Sequence, residues 1–209
     1  MQQFEAAGDE VVAAARSGST GGSRRHPPLD VADERSIAAF ASSIDRPVDL
    51  LVNNAAIDAR ALGAVDGNRG PFGLSAEDFL AEVRVNAVGP MLLTRALLPR
   101  LEEAPGACVL NMTSQLGSMW YGAGHGNDIG YNASKAALNA ITVRTAGLLK
   151  PKGIVVVAVH PGWVRTDMGG SSAPLSMDES ATAIVDVVSS LTIEDTGRFL
   201  RWDGTEHPW

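Results

Sequence analysis

The sequence predicts an α/β fold, a parallel sheet covered by helices on both faces. Three observations predict it. Continuous apolar runs at 48–52, 107–111 and 154–159 read as strands buried on both sides. The segments between them carry apolar residues at three- and four-residue spacing, the period of a half-buried helix. Strand and helix alternate along the chain, which favours parallel pairing through helical crossovers.

Each element has its own signal. Val11 to Ala15 is a short apolar run after Gly8-Asp9 and before Ser17-Gly18, and it reads as a buried strand. Residues 17–28 are mostly Gly, Ser, Arg and Pro, and read as loop. Asp33 is placed to cap a helix whose face carries Ile37, Phe40, Ala41 and Ile44. Ser75-Ala76-Glu77-Asp78 matches a capping box and opens a helix to about Leu101. Pro90 should kink that helix near Asn86, because proline removes a hydrogen bond. Residues 114–130 form a Gly-rich loop, and a helix follows from about Gly130 to Leu149. A helix over 178–191 and a short strand over 198–201 complete the pattern. The 209 residues suit a single domain, 1–209, with no internal repeat.

Composition narrows the function classes. The formal net charge is −7, against a broad nucleic-acid surface, which needs clustered Lys and Arg. The adjacent pair Arg24-Arg25 reads as part of a solvated loop. Cys108, the single cysteine, lies in an apolar run and reads as a buried thiol. No apolar run approaches the roughly 18 residues of a membrane span. Met1 to Glu5 lacks the basic and apolar regions of a signal peptide. A cytoplasmic location is the expectation. No His, Cys, Asp and Glu group has metal-ligand spacing, and no metal is implied.

The chemistry centres on Tyr131 and Lys135. They lie four apart on an expected helix, so both side chains share one face. An ammonium beside a phenol stabilises the phenolate and brings the phenol closer to proton exchange at neutral pH. The spacing alone also fits a surface pair. The neighbouring residues decide between the two readings.

Tyr131-Asn132-Ala133-Ser134-Lys135-Ala136-Ala137-Leu138 resembles the active-site helix of the classical short-chain dehydrogenases/reductases. Ser114, ending Asn111-Met112-Thr113-Ser114, resembles that family's catalytic serine, across a loop longer than the commonest family spacing. Asn86, in Val85-Asn86-Ala87-Val88-Gly89-Pro90, resembles its helix asparagine, which supports a water-linked proton path to the lysine. Leu50 to Ala56 resembles the family's Asn-Asn-Ala-Gly motif, with Ala56 for glycine. Through it, the resemblance places Asn53 and Ala55 at the adenosine ribose. Asp30-Val31 resembles the pair that contacts the adenine. Pro161-Gly162-Trp163-Val164-Arg165-Thr166 resembles the Pro-Gly motif, in which Val164 and Thr166 hold the nicotinamide carboxamide. Arg16 stands where a basic residue favours the 2′-phosphate of NADP over NAD. The 161–170 segment and Asp203-Gly204-Thr205-Glu206 look most like the C-factor-like and sniffer-like carbonyl reductases.

The resemblance implies a Rossmann-type doubly wound parallel sheet and an NAD(P)-dependent oxidoreductase. Hydride would pass between the nicotinamide and a small-molecule carbonyl or secondary alcohol. Asn86, Ser114, Tyr131 and Lys135 would be catalytic, and Tyr131 and Lys135 would also touch the cofactor. A homo-oligomer built on helices 75–101 and 130–149 is implied as well. Trp120, Trp163 and Met168 either line a substrate pocket or pack as core or lid. His125 sits in the preceding loop without a visible partner. Residues 165–177 read as a mobile substrate loop with flexible points at Gly169-Gly170.

One family feature is missing. The opening strand and its Thr-Gly-x-x-x-Gly-x-Gly turn, which brings backbone to the pyrophosphate, do not occur here. Gly8 to Arg16 aligns with the family's second strand, so roughly 25 to 30 residues of a βαβ start are absent. Three outcomes stay open. The coding sequence is truncated, or Val11 to Ala15 moves across to pair with 48–52, or the N-terminal part is poorly ordered. The alternative function is a truncated, non-catalytic relative that acts through protein contacts.

Overall fold

A computed structural model describes residues 2–18, 27–65, 68–121 and 127–209. Four strands form one sheet, in the order β1 (Leu50–Asn53), β2 (Cys108–Met112), β3 (Val155–His160) and β4 (Phe199–Arg201). All pairs are parallel, with Leu50 opposite Cys108, Cys108 opposite Val155, and Ala158 opposite Phe199. Helices make every crossover, as parallel pairing requires. After α1 (Gln2–Ala6) and α2 (Glu34–Ser43) come α3 (Ala76–Val83), α4 (Gly89–Glu102), α5 (Ile129–Leu149) and α6 (Met177–Ser190).

Alternation along the strands divides the core between two faces. Val109 and Val156 pack with Ile37 and Phe40 of α2, Leu93 and Leu97 of α4, and Leu149 of α5. On the other face, Leu110, Val155, Val157 and Val159 pack with Ile184 and Val187 of α6. Cys108 is buried there, and burial pushes its thiol up to about 12, far from nucleophilic use. Among the described residues, no helix is long and apolar enough to cross a membrane.

The expected caps form. The Asp33 side chain accepts the Arg35 N–H, and the Ser75 hydroxyl accepts the Asp78 N–H. The kink expected from Pro90 takes a specific form, a π-helical turn over Arg84–Val88, with the Gly89 N–H reaching back to the Arg84 carbonyl. Pro90 then sits in the first turn of α4, where its missing N–H removes nothing. A Cβ at Gly89 would lie 2.8 Å from the Val31 carbonyl, so glycine lets the turn press against the loop before α2.

The expected strand at Val11–Ala15 does not form. Val12 is 37% exposed, and the segment has no ladder to β1. The Leu29 N–H bonds to the Ala15 carbonyl at 3.0 Å, and Arg46 pairs with Glu10. These contacts hold the segment near β1 without joining the sheet. An apolar run becomes a strand only where a partner edge satisfies its backbone. The four described strands therefore run in one direction across the sheet, and the strand-order reversal of a doubly wound fold is not formed among the described residues. A cleft of about 2110 Å³ opens between this segment, the edge of β1 and the C-terminal ends of the strands.

Candidate active site

Ser114 follows the end of β2. Its position is set by the Thr113 N–H, which bonds to the Val159 carbonyl at 2.9 Å and extends the ladder. The Ser114 side chain accepts the Leu116 N–H at 3.2 Å, capping the turn Gln115–Gly117. That turn is bolted to α5. The Thr113 hydroxyl bonds to Asn139 Oδ1 at 2.6 Å, and Asn139 Nδ2 donates to the Gly117 carbonyl at 3.2 Å. A Cβ at Gly117 would lie 2.7 Å from the Lys135 carbonyl carbon, so the turn touches the helix backbone directly. Ser114 is thereby fixed relative to Tyr131 and Lys135.

Lys135 Nζ lies 5.6 Å from the Tyr131 ring centroid and donates to the Met112 carbonyl at 2.8 Å. Two of its three hydrogens remain for other acceptors. The residue is 2% exposed, and burial lowers its pKa to about 8. Burial also dominates Tyr131 and pushes the phenol up to about 12. The Ser114 hydroxyl pulls it down, while Asp58, Glu82 and Asp128 push it up. This corrects the expectation of a net lowering by Lys135. Removing a group from water acts on both partners at once, and here it outweighs their attraction.

Asn86 is fully buried and its amide is fully used. It donates to the Ile57 carbonyl at 2.7 Å and to the Ser134 hydroxyl at 2.9 Å, and it accepts the Ile57 N–H at 2.8 Å. It therefore ties the loop after β1 to the catalytic helix. Asn53 belongs to a second buried chain. Its Nδ2 donates to Asn111 Oδ1 at 2.8 Å, and Asn111 donates to the Thr142 hydroxyl at 2.9 Å. This chain locks β1, β2 and α5 together beneath the cleft.

The cleft gathers most of the expected site. Ser114, Tyr131 and Lys135 line it together with Val31, Asn53, Ala55, Pro161, Gly162, Val164 and Thr166. Arg16 and Asp30 do not line it. Arg16 is exposed in a turn, and one Asp30 oxygen, Oδ1, accepts the Ala32 N–H at 2.9 Å. Asn86 acts from behind the wall. His125 and Arg24-Arg25 lie outside the described residues.

The segment expected to be a mobile loop is tied at several points. Val164 bridges to Leu175, the Arg165 N–H bonds to the Leu175 carbonyl at 2.9 Å, and Trp163 Nε1 donates to the Gly169 carbonyl at 2.8 Å. Gly169 is needed for close approach, because a Cβ there would meet the Val164 carbonyl oxygen at 2.0 Å. Trp163 and Met168 line the cleft, whereas Trp120 is 71% exposed outside it.

The residues present fit the nicotinamide half of a dinucleotide. A buried ammonium with spare donors stands beside the Pro161–Thr166 segment and a phenol. The phosphate half has no glycine turn leading into a helix among the described residues, where Asp9 to Ala14 border the cleft instead.

Sequence reasoning missed Asn139, Thr113 and Glu82. Asn139 lies one turn beyond Lys135, and Glu82 one turn before Asn86, so helical spacing from known site residues could have found both. Glu82 is 1% exposed with neither oxygen hydrogen-bonded, and burial raises it to about 7.

Comparison with known proteins agrees with this geometry. Residues 3–175 match the sequence profile of the short chain dehydrogenase family. The chain is 38% identical over 174 residues to the C-signal protein of Myxococcus xanthus, covering 82% of this chain and 99% of that one. It superposes on carbonyl reductase Sniffer of D. melanogaster with TM-score 0.78 and 33% identity, over 87% of this chain and 77% of that one. A carbonyl reductase from Pseudomonas aeruginosa PAO1 in complex with NADP gives TM-score 0.83 and 31% identity, over 100% of this chain and 92% of that one. The chain belongs to the short-chain dehydrogenase/reductase family.

Proposed function

We propose that this chain is an NAD(P)-dependent oxidoreductase that interconverts a small-molecule carbonyl and its secondary alcohol. The observation that carries this reading is the convergence of Ser114, Tyr131 and Lys135 on one cleft with Asn53 and Pro161 to Thr166. When bound, the dinucleotide supplies or accepts the hydride. Pro161, Gly162, Val164 and Thr166 would hold its nicotinamide end, and Asn53 and Ala55 would border the ribose. The NADP complex of the Pseudomonas relative supports a nicotinamide dinucleotide, NADP or NAD, as the cofactor.

The protein's own part is proton transfer and positioning. The Ser114 oxygen accepts the Leu116 N–H and its hydroxyl bonds to the Tyr131 phenol, so a substrate oxygen placed at Tyr131 would meet both hydroxyls. Tyr131, with its pKa raised by burial, stays protonated at neutral pH and serves as the acid when a carbonyl is reduced. Lys135 is charged below about pH 8 and stabilises the phenolate left behind. Asn86 and Asn139 hold the two loops that frame the reaction. Trp163 and Met168 give the cleft an apolar wall suited to a hydrophobic substituent on the substrate.

The test is reduction of aromatic ketones and aldehydes by NADPH and by NADH, alongside cofactor titration followed by tryptophan fluorescence. Saturable binding and turnover are expected. Tyr131→Phe should reduce kcat by roughly 10²- to 10⁴-fold with little change in KM. Absence of binding below millimolar would refute the reading. A homo-oligomer belongs to the same proposal. It is supported by exposed Met91 (40%) on α4 and by Val143 (42%) and Leu148 (74%) on α5. Light scattering on Leu148→Lys should report a smaller species.

A further inference from the structure

Glu82 is a buried carboxyl group that the proton-transfer scheme does not use. It sits on α3 one turn before Asn86 and is 1% exposed. Neither of its oxygens has a hydrogen-bond partner. It packs against the first turn of the catalytic helix, where a Cβ at Gly130 would lie 1.9 Å from Glu82 Oε2. The residue after Gly130 is Tyr131. A charged carboxylate sealed in such a place, with the Ala59 backbone as its one favourable donor, is disfavoured.

The charged groups around it deepen the effect. Asp78 lies on its own helix, Asp58 in the loop after β1, and Asp128 just ahead of α5, and all three repel a second negative charge there. Two of these acids carry cations of their own. Arg60 pairs with Asp58 at 2.5 Å, and Arg69 with Asp128 at 3.0 Å. The Ala59 backbone favours the ionised form, but burial outweighs it and carries the carboxyl to about 7. On the catalytic helix, Tyr131 faces the same region. Ionised Glu82 pushes the Tyr131 phenol up.

We propose that Glu82 is a positioning residue whose neutral form permits proton transfer at Tyr131, and whose ionised form opposes it by placing a negative charge behind the phenol. This rests on the assignment of Tyr131 as the acid/base group. In the neutral form, phenolate at Tyr131 faces Lys135 with no opposing charge on Glu82. Loss of the Glu82 proton to solvent makes Tyr131 a weaker acid, so reduction slows as pH rises through the ionisation of Glu82.

The chain has two tyrosines, Tyr121 and Tyr131, so each can be observed alone. In cofactor-free protein labelled with ¹³C at tyrosine Cζ and glutamate Cδ, Tyr121→Phe assigns the remaining Cζ signal to Tyr131. One glutamate Cδ should titrate with a midpoint near 7, and the Tyr131 signal should step with it. Glu82→Gln should remove both, leaving only the step of Lys135 near 8. A Tyr131 step near 7 that survives Glu82→Gln would overturn the proposal. So would a wild-type protein in which no glutamate titrates above 6, a result that needs no variant to fold. The second arm is the pH profile of kcat for ketone reduction by NADPH. The wild type should lose rate through pH 7, and Glu82→Gln should hold its rate there. Identical profiles would overturn the coupling. A wild type without turnover would refute the enzymatic reading instead, and the titration arm would still decide the state of Glu82.

Discussion

Lys135→Met should change how stability depends on pH, and the size of the change follows from burial. The ammonium is 2% exposed, and its pKa falls from 10.5 to about 8 on folding. Each pH unit of that fall corresponds to about 1.4 kcal/mol, so holding the charge in the folded state at pH 7 costs about 3 kcal/mol. The direction is fixed. Between pH 8 and 10.5 the unfolded chain binds the proton and the folded chain does not, so this group makes stability rise with pH across that window. Methionine has no proton to lose and fills a similar volume. It also abandons the hydrogen bond to the Met112 carbonyl, which offsets about 1 kcal/mol at every pH. Urea unfolding at pH 7, 8, 9 and 10 measures the result. Wild type should gain about 3 kcal/mol on the variant between the ends of the window, a midpoint shift of roughly 1 M. Tyr131 and Cys108 also titrate there, but they are common to both proteins and largely cancel in the difference. Parallel curves would refute the reasoning, because they would mean that the lysine keeps its ordinary pKa when folded.

Glu82→Gln should show the opposite slope. The folded carboxyl titrates near 7 and the unfolded one near 4.5, so wild-type stability falls through that interval. The variant should be more stable by about 3 kcal/mol at pH 8 and no more stable at pH 4, as denaturant melts would report. Asn139→Ala leaves the Thr113 hydroxyl and the Gly117 carbonyl without their partners. It should cost about 2 kcal/mol in melts and lower kcat for ketone reduction by loosening Ser114. Gly117→Ala forces a methyl against the Lys135 backbone and should cost about 1–3 kcal/mol, measured in the same way.

What was legible in the sequence was what depends on nearby residues. Asp33 and Ser75 cap the helices they were expected to cap, because a cap bonds to N–H groups two or three residues away. The strands at 50–53, 108–112 and 155–160 were legible because strands flanked on both sides are apolar throughout. Tyr131, Lys135 and Ser114 were legible as a motif, and the cleft unites them. Val11–Ala15 was misread because pairing is decided by a distant edge, and the pattern of one segment says nothing about its partner. Arg16 and Asp30 were assigned to the cofactor by position alone. The Asp30 Oδ1 accepts the N–H of its own turn, a use open to any aspartate two residues before a free N–H.

The electrostatics of the site were the least legible part, and one physical cause accounts for that. From spacing alone, Tyr131 and Lys135 form an ion-pair-like couple in which the ammonium lowers the phenol. In the folded chain, Tyr131 is raised, Lys135 lowered and Glu82 raised, with burial the largest cause in each case. All three groups are driven toward their neutral forms. Desolvation is a property of everything packed around a group, including Gly117 against α5 and Gly130 against Glu82, so no local motif encodes it. The consequence is functional. Each charge that persists acts through a medium that screens poorly. A single proton on Glu82 therefore has more influence on Tyr131 than the same proton at an exposed site, and it adjusts an acidity of the phenol that burial dominates.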